Sequence, residues 1–450
     1  PEKMAEISVV KNEELLKALN GAPAVKSDFN MILIGLRRRQ LSGSYQCAKA
    51  TLEIIRALLG RCNFSSTEQM MNIVRAAGKE LTNAAPSEFS IGNLIRRVLF
   101  FIREEHATQN RQMNSALAAS GDATIAPRPV GRGLRSGSMG SHSSTGSMTT
   151  KETTTATIVS SVVGVGVASA GTGSEEKTTV RVEAIDKTLA NLTIKSHATH
   201  HSLESILGGS GTYDDDDHYA QFLPGLKAGV LGAINELNTE IDDTTTICQR
   251  APDFVHAGEC ILTFGYSRIV ELFLRAAGAK RRFQLIVAEG SPGLDGHKLA
   301  QSLSKVPTIS VTLIPDSNIY ALMARVNEVI VSPRAIMADG GAICNSGNLM
   351  VAVAAKDFSV PVVCIAEAFT VTPHFVHTQG AVLDQLLSPA DALPYNAAHI
   401  NLSNVEVNYP AFDYLPPDLV TLYVTNDGTQ LPSYIFRQLS EYYHPRDYNI

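Results

Sequence analysis

The chain has 450 residues, of which 44% are hydrophobic and 18% are charged, and its formal net charge is -6. That length has room for two domains or for one large domain with an insertion. Nucleic-acid-binding proteins usually carry a net positive charge or a basic surface, whereas the net charge of this chain is mildly negative. We therefore expect no direct contact with nucleic acid.

The cysteines and the hydropathy pattern indicate a reducing, aqueous compartment. The six cysteines form no C-x-x-C pair, which favours free thiols over a disulfide framework or a zinc site. The least polar run, residues 158–170, is rich in Ser and Gly and is shorter than the roughly 20 residues that a bilayer span requires. The start of the sequence shows no signal peptide. We therefore expect a cytoplasmic protein without a metal site or a membrane contact.

Residues 5–107 carry the apolar spacing of amphipathic helices, with residues 91–102 as one clear example. Ser66 or Thr67 follows a polar break and can cap the next helix. We interpret residues 5–107 as an N-terminal helical domain. The three consecutive arginines at 37–39 are either a solvated helix face or a phosphate-binding cluster.

Composition changes abruptly after this helical region. Residues 108–220 are rich in Ser, Thr, Gly and Ala, as in SGSMGSHSSTGSMTT at 136–150. Such a segment buries too little apolar surface to offset the entropy of ordering it. We expect a largely disordered insertion with one strand at residues 178–182. The four acids at 214–217 are interpreted as a solvated loop because they lack the spacing of a cation site.

From residue 221 to residue 450 the sequence alternates between short apolar runs and amphipathic segments. A long helix near residues 226–241 comes first, and we expect it to pack on the N-terminal helices. The predicted strands are residues 260–264, 283–287, 308–312, 329–331, 360–365 and 419–424. The predicted helices between and after them are residues 267–277, 296–304, 319–324 and 433–443. This alternation predicts an α/β domain with a doubly wound parallel sheet.

The stretch at 327–356, NEVIVSPRAIMADGGAICNSGNLMVAVAAK, combines the features of a ligand-binding crossover. The apolar run at 329–331 ends before a proline, which cannot continue a central strand. Gly340, Gly341 and Gly347 then allow tight turns before a helix begins. A strand, a glycine-bearing loop and a helix in this order either place a ligand at the strand ends or form a plain buried crossover.

Three separated segments resemble a known family. They read ILTFGYSRIVELFLRAA, FQLIVAEGSPGLDGHKLAQSL and DSNIYALMARVNEVIVSPRAIMADGGAICNSGN. Together they resemble the family shared by sugar-phosphate isomerases and the regulatory subunits of eukaryotic translation initiation factor 2B. The segments FSIGNLIRRVLFFIREEH, FDYLPPDLVTLYVTNDG and PSYIFRQLSEYYHP are similar to one branch of those subunits. The resemblance covers the helical region and everything after the insertion, and it implies a Rossmann-like sheet domain.

The resemblance also bears on catalysis. Family members that isomerise methylthioribose phosphate or ribose bisphosphate carry a cysteine after the first strand and an aspartate after the fourth. Gly265 and Arg334 occupy the matching positions here, and Ser291 replaces the arginine of a Glu-x-Arg-Pro phosphate motif. Proton shuttling needs a group that exchanges protons near neutral pH. Glycine has no such group and arginine stays protonated, so the resemblance implies a non-catalytic chain.

Several residues at the strand ends are candidates for a degenerate ligand pocket. They are Tyr266, Ser267, Glu289, Arg334, Asp339, Gly340 and Gly341. Arg334 would favour an anion, because its guanidinium can bind phosphate through two hydrogen bonds. In the other interpretation these residues only hold loops in place, and we expect no bound cofactor.

Two functional alternatives stay open. They are an active sugar-phosphate isomerase and a catalytically inactive sensor of a phosphate ligand. A dinucleotide-dependent oxidoreductase is disfavoured because no G-x-G-x-x-G follows the strand at 260–264.

The resemblance implies that the chain is a subunit of an assembly that exchanges GDP for GTP on initiation factor 2. Another subunit of that assembly would carry the catalysis. The implied partners are the paralogous alpha and delta subunits, the catalytic epsilon subunit, its gamma companion and initiation factor 2. Phosphorylation of the alpha subunit of initiation factor 2 would be sensed in the integrated stress response. Four aromatic residues are interface candidates, because interface cores are enriched in aromatics: Tyr434, Phe436, Tyr442 and Tyr443. Burial of these rings within the domain is the alternative.

Overall fold

The computed structural model describes residues 13–119, 219, 222–223, 225–376, 385–394 and 405–450. Most of the predicted insertion at 108–220, including its expected strand at 178–182 and its acidic run, lies outside these residues. The first part of the predicted helical domain, residues 5–12, also lies outside them.

The N-terminal layer is helical, as the apolar spacing predicts. Its helices are α1 Glu13–Asn20, α2 Pro23–Arg37, α3 Ser44–Arg61, α4 Thr67–Ala84 and α5 Phe89–Ala119. A sixth helix, α6 Leu226–Asp242, adds Ile234 and Leu237 to the same apolar core, as predicted. Ser66 caps α4, because its hydroxyl accepts a hydrogen bond from the Gln69 backbone N–H at 3.1 Å.

Helix α5 continues well past residue 107, where the sequence analysis places the start of the insertion. It runs for 31 residues to Ala119, so the first part of that segment is helical. Residues 111–116 are exposed and bury no apolar stripe. Their Arg, Gln, Met and Ala nevertheless favour a helix intrinsically, and the Gln109 amide donates to Glu105 one turn earlier at 2.7 Å. A polar, solvated helix end therefore resembles a linker in composition.

The second part of the chain forms two sheets. Its strands are β1 Cys260–Phe264, β2 Phe283–Ala288, β3 Ile309–Ile314, β4 Glu328–Val331, β5 Ala335–Ile336, β6 Ala342–Asn345, β7 Val362–Ile365, β8 Phe412–Leu415, β9 Leu422–Thr425 and β10 Gly428–Gln430. The larger sheet has the order β10-β9-β7-β4-β1-β2-β3. All its pairs are parallel except the one between β10 and β9. This architecture confirms the α/β fold class and the parallel sheet.

Helices cover both faces of the large sheet. They are α7 Thr245–Gln249, α8 Ala251–Phe254, α9 Arg268–Lys280, α10 Asp295–Leu303, α11 Ile319–Met323, α12 Asn348–Asp357 and α13 Ile435–Tyr442. Successive strand residues point to opposite faces, so Ile261 and Leu285 join the core under α7 to α10. Leu262 and Ile286 join the core under α11 to α13. The sheet is therefore doubly wound, as predicted.

The segment between β4 and α12 differs from the simple glycine-bearing loop that its sequence indicates. Strands β5 and β6 form a hairpin, and β8 pairs with β6 to complete a small antiparallel sheet. Gly340 has φ +81° in the hairpin turn, a conformation that side chains other than glycine rarely adopt. Strand β8 lies about seventy residues further along the chain than β6, so a local pattern cannot show this pairing.

A buried ion cluster joins the helical layer to the end of the chain. Asp447 is fully buried, and its carboxylate accepts hydrogen bonds from Arg103 Nε and Arg75 Nη2, both at 2.8 Å. A second bond from Arg103 measures 3.2 Å. The Arg103 guanidinium also donates to the Tyr219 hydroxyl at 3.1 Å. The C-terminal turn is thus held by charge-assisted bonds to α4 and α5.

A second set of polar contacts joins α5 to the loop after β7. The Asn93 amide donates to the Phe369 carbonyl at 3.0 Å. The Arg96 guanidinium donates to the Tyr448 carbonyl at 3.1 Å and lies 2.7 Å from His374 Nε2. Burial, and then the charge of Arg96, lower the pKa of His374 to about 4. The imidazole is therefore neutral at pH 7, and its Nε2 accepts the hydrogen bond.

The helices and the sheets belong to one compact unit, which comprises the described parts of residues 1–122 and 218–450. Helices α1 to α6 share one apolar core, two further cores lie on the faces of the large sheet, and a small fourth core lies at the small sheet. We propose that residues 5–107 and 221–450 are distinct domains, and that α6, at the start of the second, packs on the first.

Candidate functional site

A cleft lies where the chain order of the large sheet reverses. Strands β1, β2 and β3 extend to one side of the sheet, and β4, β7 and β9 extend to the other. In open α/β sheets this switch point is the usual ligand site. The cleft has a volume of about 340 Å³ and is lined by residues after β1, β4 and β7 and by residues 42–46 of the helical layer.

Arg268 is the first residue of α9 and forms one wall of the cleft. Its guanidinium carbon lies 3.7 Å from the centroid of the Tyr45 ring, which belongs to α3. Its Nη1 atom lies 3.9 Å from the Glu367 carboxylate. Tyr45 also donates to Asp242 at 2.8 Å, and Lys49 donates to the same carboxylate at 2.9 Å. These contacts link the helical layer to the helix that follows β1.

Among the described residues, Glu367 is the one acidic residue that lines this cleft. It follows β7, and its side chain is only 12% exposed. Burial raises the pKa of Glu367 to about 7, although the positive charge of Arg268 partly opposes that rise. Two protonation states are therefore populated near neutral pH.

Arg334, which the resemblance matches to an isomerase aspartate, is held by an internal partner. Its Nη2 atom donates to Glu88 Oε1 at 2.6 Å. Its guanidinium carbon lies 5.6 Å from the centroid of the Phe412 ring. Glu88 precedes α5 and also accepts from the Gly43 backbone N–H at 3.2 Å. Arg334 therefore joins the sheet to the helical layer, and its charge is partly neutralised.

Four polar atoms that line or adjoin the cleft have no hydrogen-bond partner among the described residues. They are Glu88 Oε2, Asn348 Oδ1, Arg268 Nη1 and Arg334 Nε. Such atoms are costly when buried, and a polar ligand with donors and acceptors can satisfy them. The two arginine nitrogens can donate to a phosphate or a carboxylate, and the two oxygens can accept from hydroxyl groups.

Three candidates from the sequence lie together at the end of β1. Gly265 has φ +65°, so a cysteine at this position would be strained. Tyr266 and Ser267 line the cleft, and the Tyr266 hydroxyl donates to Glu271 at 3.1 Å. Tyr266, Ser267 and Arg334 are the predicted pocket residues that line the same cleft.

The other pocket candidates do not line this cleft. Asp339, Gly340 and Gly341 form the turn between β5 and β6, where the Asp339 carboxylate accepts from the Gly341 backbone and the Tyr414 hydroxyl. The Gly340 carbonyl accepts from the buried Tyr423 hydroxyl at 2.9 Å. Glu289 follows β2, and its carboxylate lies 3.7 Å from His297. These four residues hold loops in place.

The described residues contain neither a metal site nor a membrane-spanning helix. No group of three or more His, Cys, Asp and Glu side chains in that part of the chain converges on a metal site. None of its helices combines the length and the apolar composition that a bilayer span requires. All six cysteines are free thiols.

The aromatic interface candidates divide into two groups. Phe436 is 67% exposed and Tyr434 is 39% exposed, and both stand at the start of α13. Tyr442 is half-buried, with the Arg97 guanidinium 4.5 Å from its ring centroid. Tyr443 is only 1% exposed, and its hydroxyl donates to the Val371 carbonyl at 2.7 Å. Tyr443 is therefore a core residue and is not available to a partner.

Two cleft residues, Arg268 and Glu367, were not predicted from the sequence, and neither was Glu88, which holds the cleft residue Arg334. A signal for Glu367 was present, because an acid two residues after a buried parallel strand lies at the same sheet edge as the other strand ends. Arg268 directly follows the predicted pocket residue Ser267. Glu88 gave no signal, since it lies 246 positions from its partner Arg334.

Comparison with known proteins places this architecture in a family. The model of the Initiation factor 2 subunit family matches residues 40–432. The translation initiation factor eIF2B subunit beta of Dictyostelium discoideum is 33% identical over 417 residues, covering 92% of this chain and 95% of that protein. The chain belongs to the Initiation factor 2 subunit family.

Solved structures show the same fold. The crystal structure of eIF2B beta from Chaetomium thermophilum matches with a TM-score of 0.60 and 21% identity, covering 97% of both chains. A chain of the tetrameric eIF2B-beta2-delta2 complex from C. thermophilum matches with a TM-score of 0.57 and 21% identity. That match covers 95% of this chain and 98% of the other. The similarity to beta subunits rests on the relative from Dictyostelium discoideum, and these structures show the fold.

Proposed function

We propose that this chain is a non-catalytic beta-type subunit of the initiation factor 2B assembly, which exchanges guanine nucleotide on initiation factor 2. The supporting observation is the similarity to a beta subunit over more than nine-tenths of both chains. One of the similar solved structures is a complex of beta with delta subunits. The proposed partners are the alpha, delta, gamma and epsilon subunits and initiation factor 2, in the cytoplasm. The proposed role includes sensing phosphorylation of the alpha subunit of initiation factor 2.

An exposed aromatic surface at the start of α13 supports the assembly role. Leu431, Tyr434 and Phe436 are all exposed there. Large apolar side chains that face solvent together are uncommon in monomers and mark interaction sites. We propose that this surface contacts a partner subunit.

The first prediction tests this surface. Replacing Phe436 with Asp is expected to reduce the yield of co-purified subunits at least tenfold, because an uncompensated charge in an interface costs several kcal/mol. The variant would be co-expressed with the other four subunits, and complex recovery would be measured by quantitative mass spectrometry. Phe375, which is 49% exposed elsewhere, provides a matched control through the same substitution. A folded Phe436→Asp variant that assembles at the control yield would contradict the prediction.

The isomerase alternative has a direct test. We expect no turnover of methylthioribose phosphate or ribose bisphosphate, since Gly265 lacks a side chain and Arg334 is bound to Glu88. The cleft retains Glu367, whose pKa near 7 suits proton transfer, so the experiment is informative. Formation of a ribulose product above a protein-free control would restore the isomerase hypothesis.

A ligand-sensing role without chemistry is the second candidate, and the four unpartnered polar atoms of the cleft favour it. We expect native mass spectrometry of the purified assembly to detect a sugar phosphate or a nucleotide on this subunit. Replacing Arg268 with Ala should remove the adduct, whereas replacing the exposed Arg437 should not. Identical spectra from all three proteins, without an adduct, would eliminate this candidate.

A further inference from the structure

A second apolar surface lies on the face of the large sheet that α11 and α12 cover. A groove of about 470 Å³ runs between these helices. Its apolar lining consists of Ile319 and Tyr320 on α11 and Leu349, Met350, Val353 and Ala354 on α12. Tyr320 is 56% exposed, and Met350 and Val353 are each 46% exposed. This surface is built from different elements than the aromatic surface of α13.

The groove has a defined shape. The Tyr320 and Phe358 rings meet edge to face, with centroids 5.2 Å apart. The Tyr320 hydroxyl lies 3.4 Å from the Asp357 carboxylate. Met350 and Val353 are three residues apart and therefore lie on the same side of α12. Two helices that leave an apolar channel between them match the receptor side of helix-in-groove recognition.

The charges around the groove are acidic. Asp316 and Asp413 line it, and no basic residue does so among the described residues. Asp316 accepts from the Gly290 and Ser291 backbones, and Asp413 accepts from the Gly347 and Leu349 backbones. Asp357 adds a third carboxylate at the end of α12.

We infer that this groove binds an amphipathic helix of another protein, one with apolar residues at i, i+3 and i+4 and Lys or Arg at its flanks. Apolar side chains would pack on Met350 and Val353, and the basic flanks would face the three carboxylates. Pairing of two copies of the groove about a two-fold axis would bring the same carboxylates together, which is unfavourable. This inference goes beyond the proposed function and does not depend on it.

Two synthetic helical peptides test the inference on the purified full chain. Both carry Leu at i, i+3, i+4 and i+7, and they differ only in Lys or Glu at the flanks. We expect the Lys peptide to bind at least tenfold more tightly by fluorescence anisotropy, and the difference to shrink as salt rises. Equal affinity for the two peptides, or binding of neither, would overturn the inference.

A double variant tests whether the Lys peptide binds in this groove. Met350→Glu with Val353→Glu should weaken the Lys peptide at least tenfold, and the exposed control Leu386→Glu should leave its affinity unchanged. Thermal unfolding of each variant checks the fold. Unchanged affinity in the double variant would place the peptide elsewhere and refute the proposed groove. If the wild-type chain self-associates as its concentration rises, and the double variant does not, the groove binds a second copy of the chain and the inference is overturned.

Discussion

Replacing Asp447 with Ala is expected to lower the free energy of unfolding by about 3–5 kcal/mol. The carboxylate is fully buried and bonds both Arg75 and Arg103. Without it, the Arg103 guanidinium keeps only the Tyr219 hydroxyl as its hydrogen-bond partner among the bonds of this cluster. An uncompensated buried charge is the costly product of breaking such a pair.

Urea unfolding followed by circular dichroism measures the loss. Asp447→Asn keeps an acceptor of similar shape but removes the charge, so we expect an intermediate loss of about 2 kcal/mol. Asp418 is exposed in the same terminal region, and Asp418→Ala should change stability by less than about 0.5 kcal/mol. Equal midpoints for Asp447→Ala and Asp418→Ala would show that the cluster contributes nothing.

The pH dependence of this cluster provides an independent check. Burial raises the pKa of Asp447, but the hydrogen bonds from Arg103 and then Arg75 outweigh that effect, so its pKa lies below the ordinary value. A depressed pKa gives stabilisation that is present above the unfolded value of 3.8 and is lost as pH falls through the folded pKa. The difference between wild type and Asp447→Ala should therefore be constant at neutral pH and shrink below about pH 4.

The large sheet could be predicted because each of its buried strands is a short, continuous apolar run. Cys260–Phe264 and Phe283–Ala288 are separated by an amphipathic helix, and the same pattern repeats. The order of the strands then determines the switch point of the sheet. The pocket candidates Tyr266, Ser267 and Arg334 line the cleft at this point. Local periodicity was sufficient for the strands and helices, because each of them is encoded within a short stretch of sequence.

Features that depend on distant pairing could not be predicted. Strand β8 completes the small sheet by pairing with β6, and no local pattern indicates that partner. Glu88 reaches Arg334 only because the helical layer packs over the strand ends. Tyr442 and Tyr443 are adjacent and chemically identical in the sequence, yet only Tyr443 lies in the core. Tertiary packing alone distinguishes the two rings.

The buried carboxyl group of Glu367 makes the stability of the protein depend on pH. Burial sets the pKa of Glu367 at about 7, whereas the ordinary value is 4.5. Between these values the folded chain binds a proton that the unfolded chain does not, so stability falls as pH rises from about 4.5 through about 7. At about 1.4 kcal/mol for each unit of pKa shift, the total penalty is about 3 kcal/mol.

Replacing Glu367 with Gln should remove this penalty, since the amide is neutral at every pH and has nearly the same shape. We expect the variant to be about 3 kcal/mol more stable than wild type at pH 8 and nearly equal to it at pH 5. Urea midpoints of both proteins would be measured from pH 5 to pH 8. Other titrating groups, such as His374, contribute equally to both proteins and cancel in the difference.

The exposed Glu53 provides the control, and Glu53→Gln should follow the wild-type curve across this range. Among the described residues, Glu367 is paired with Arg268, whose Nη1 lies 3.9 Å from the carboxylate. Arg268→Ala removes the charge that holds the pKa of Glu367 down, so it should increase the destabilisation at pH 8. A constant difference between wild type and Glu367→Gln from pH 5 to pH 8 would show that Glu367 is ionised throughout. The Arg268 contact would then outweigh burial, and the cleft would hold a fixed ion pair rather than a carboxyl that titrates near neutral pH.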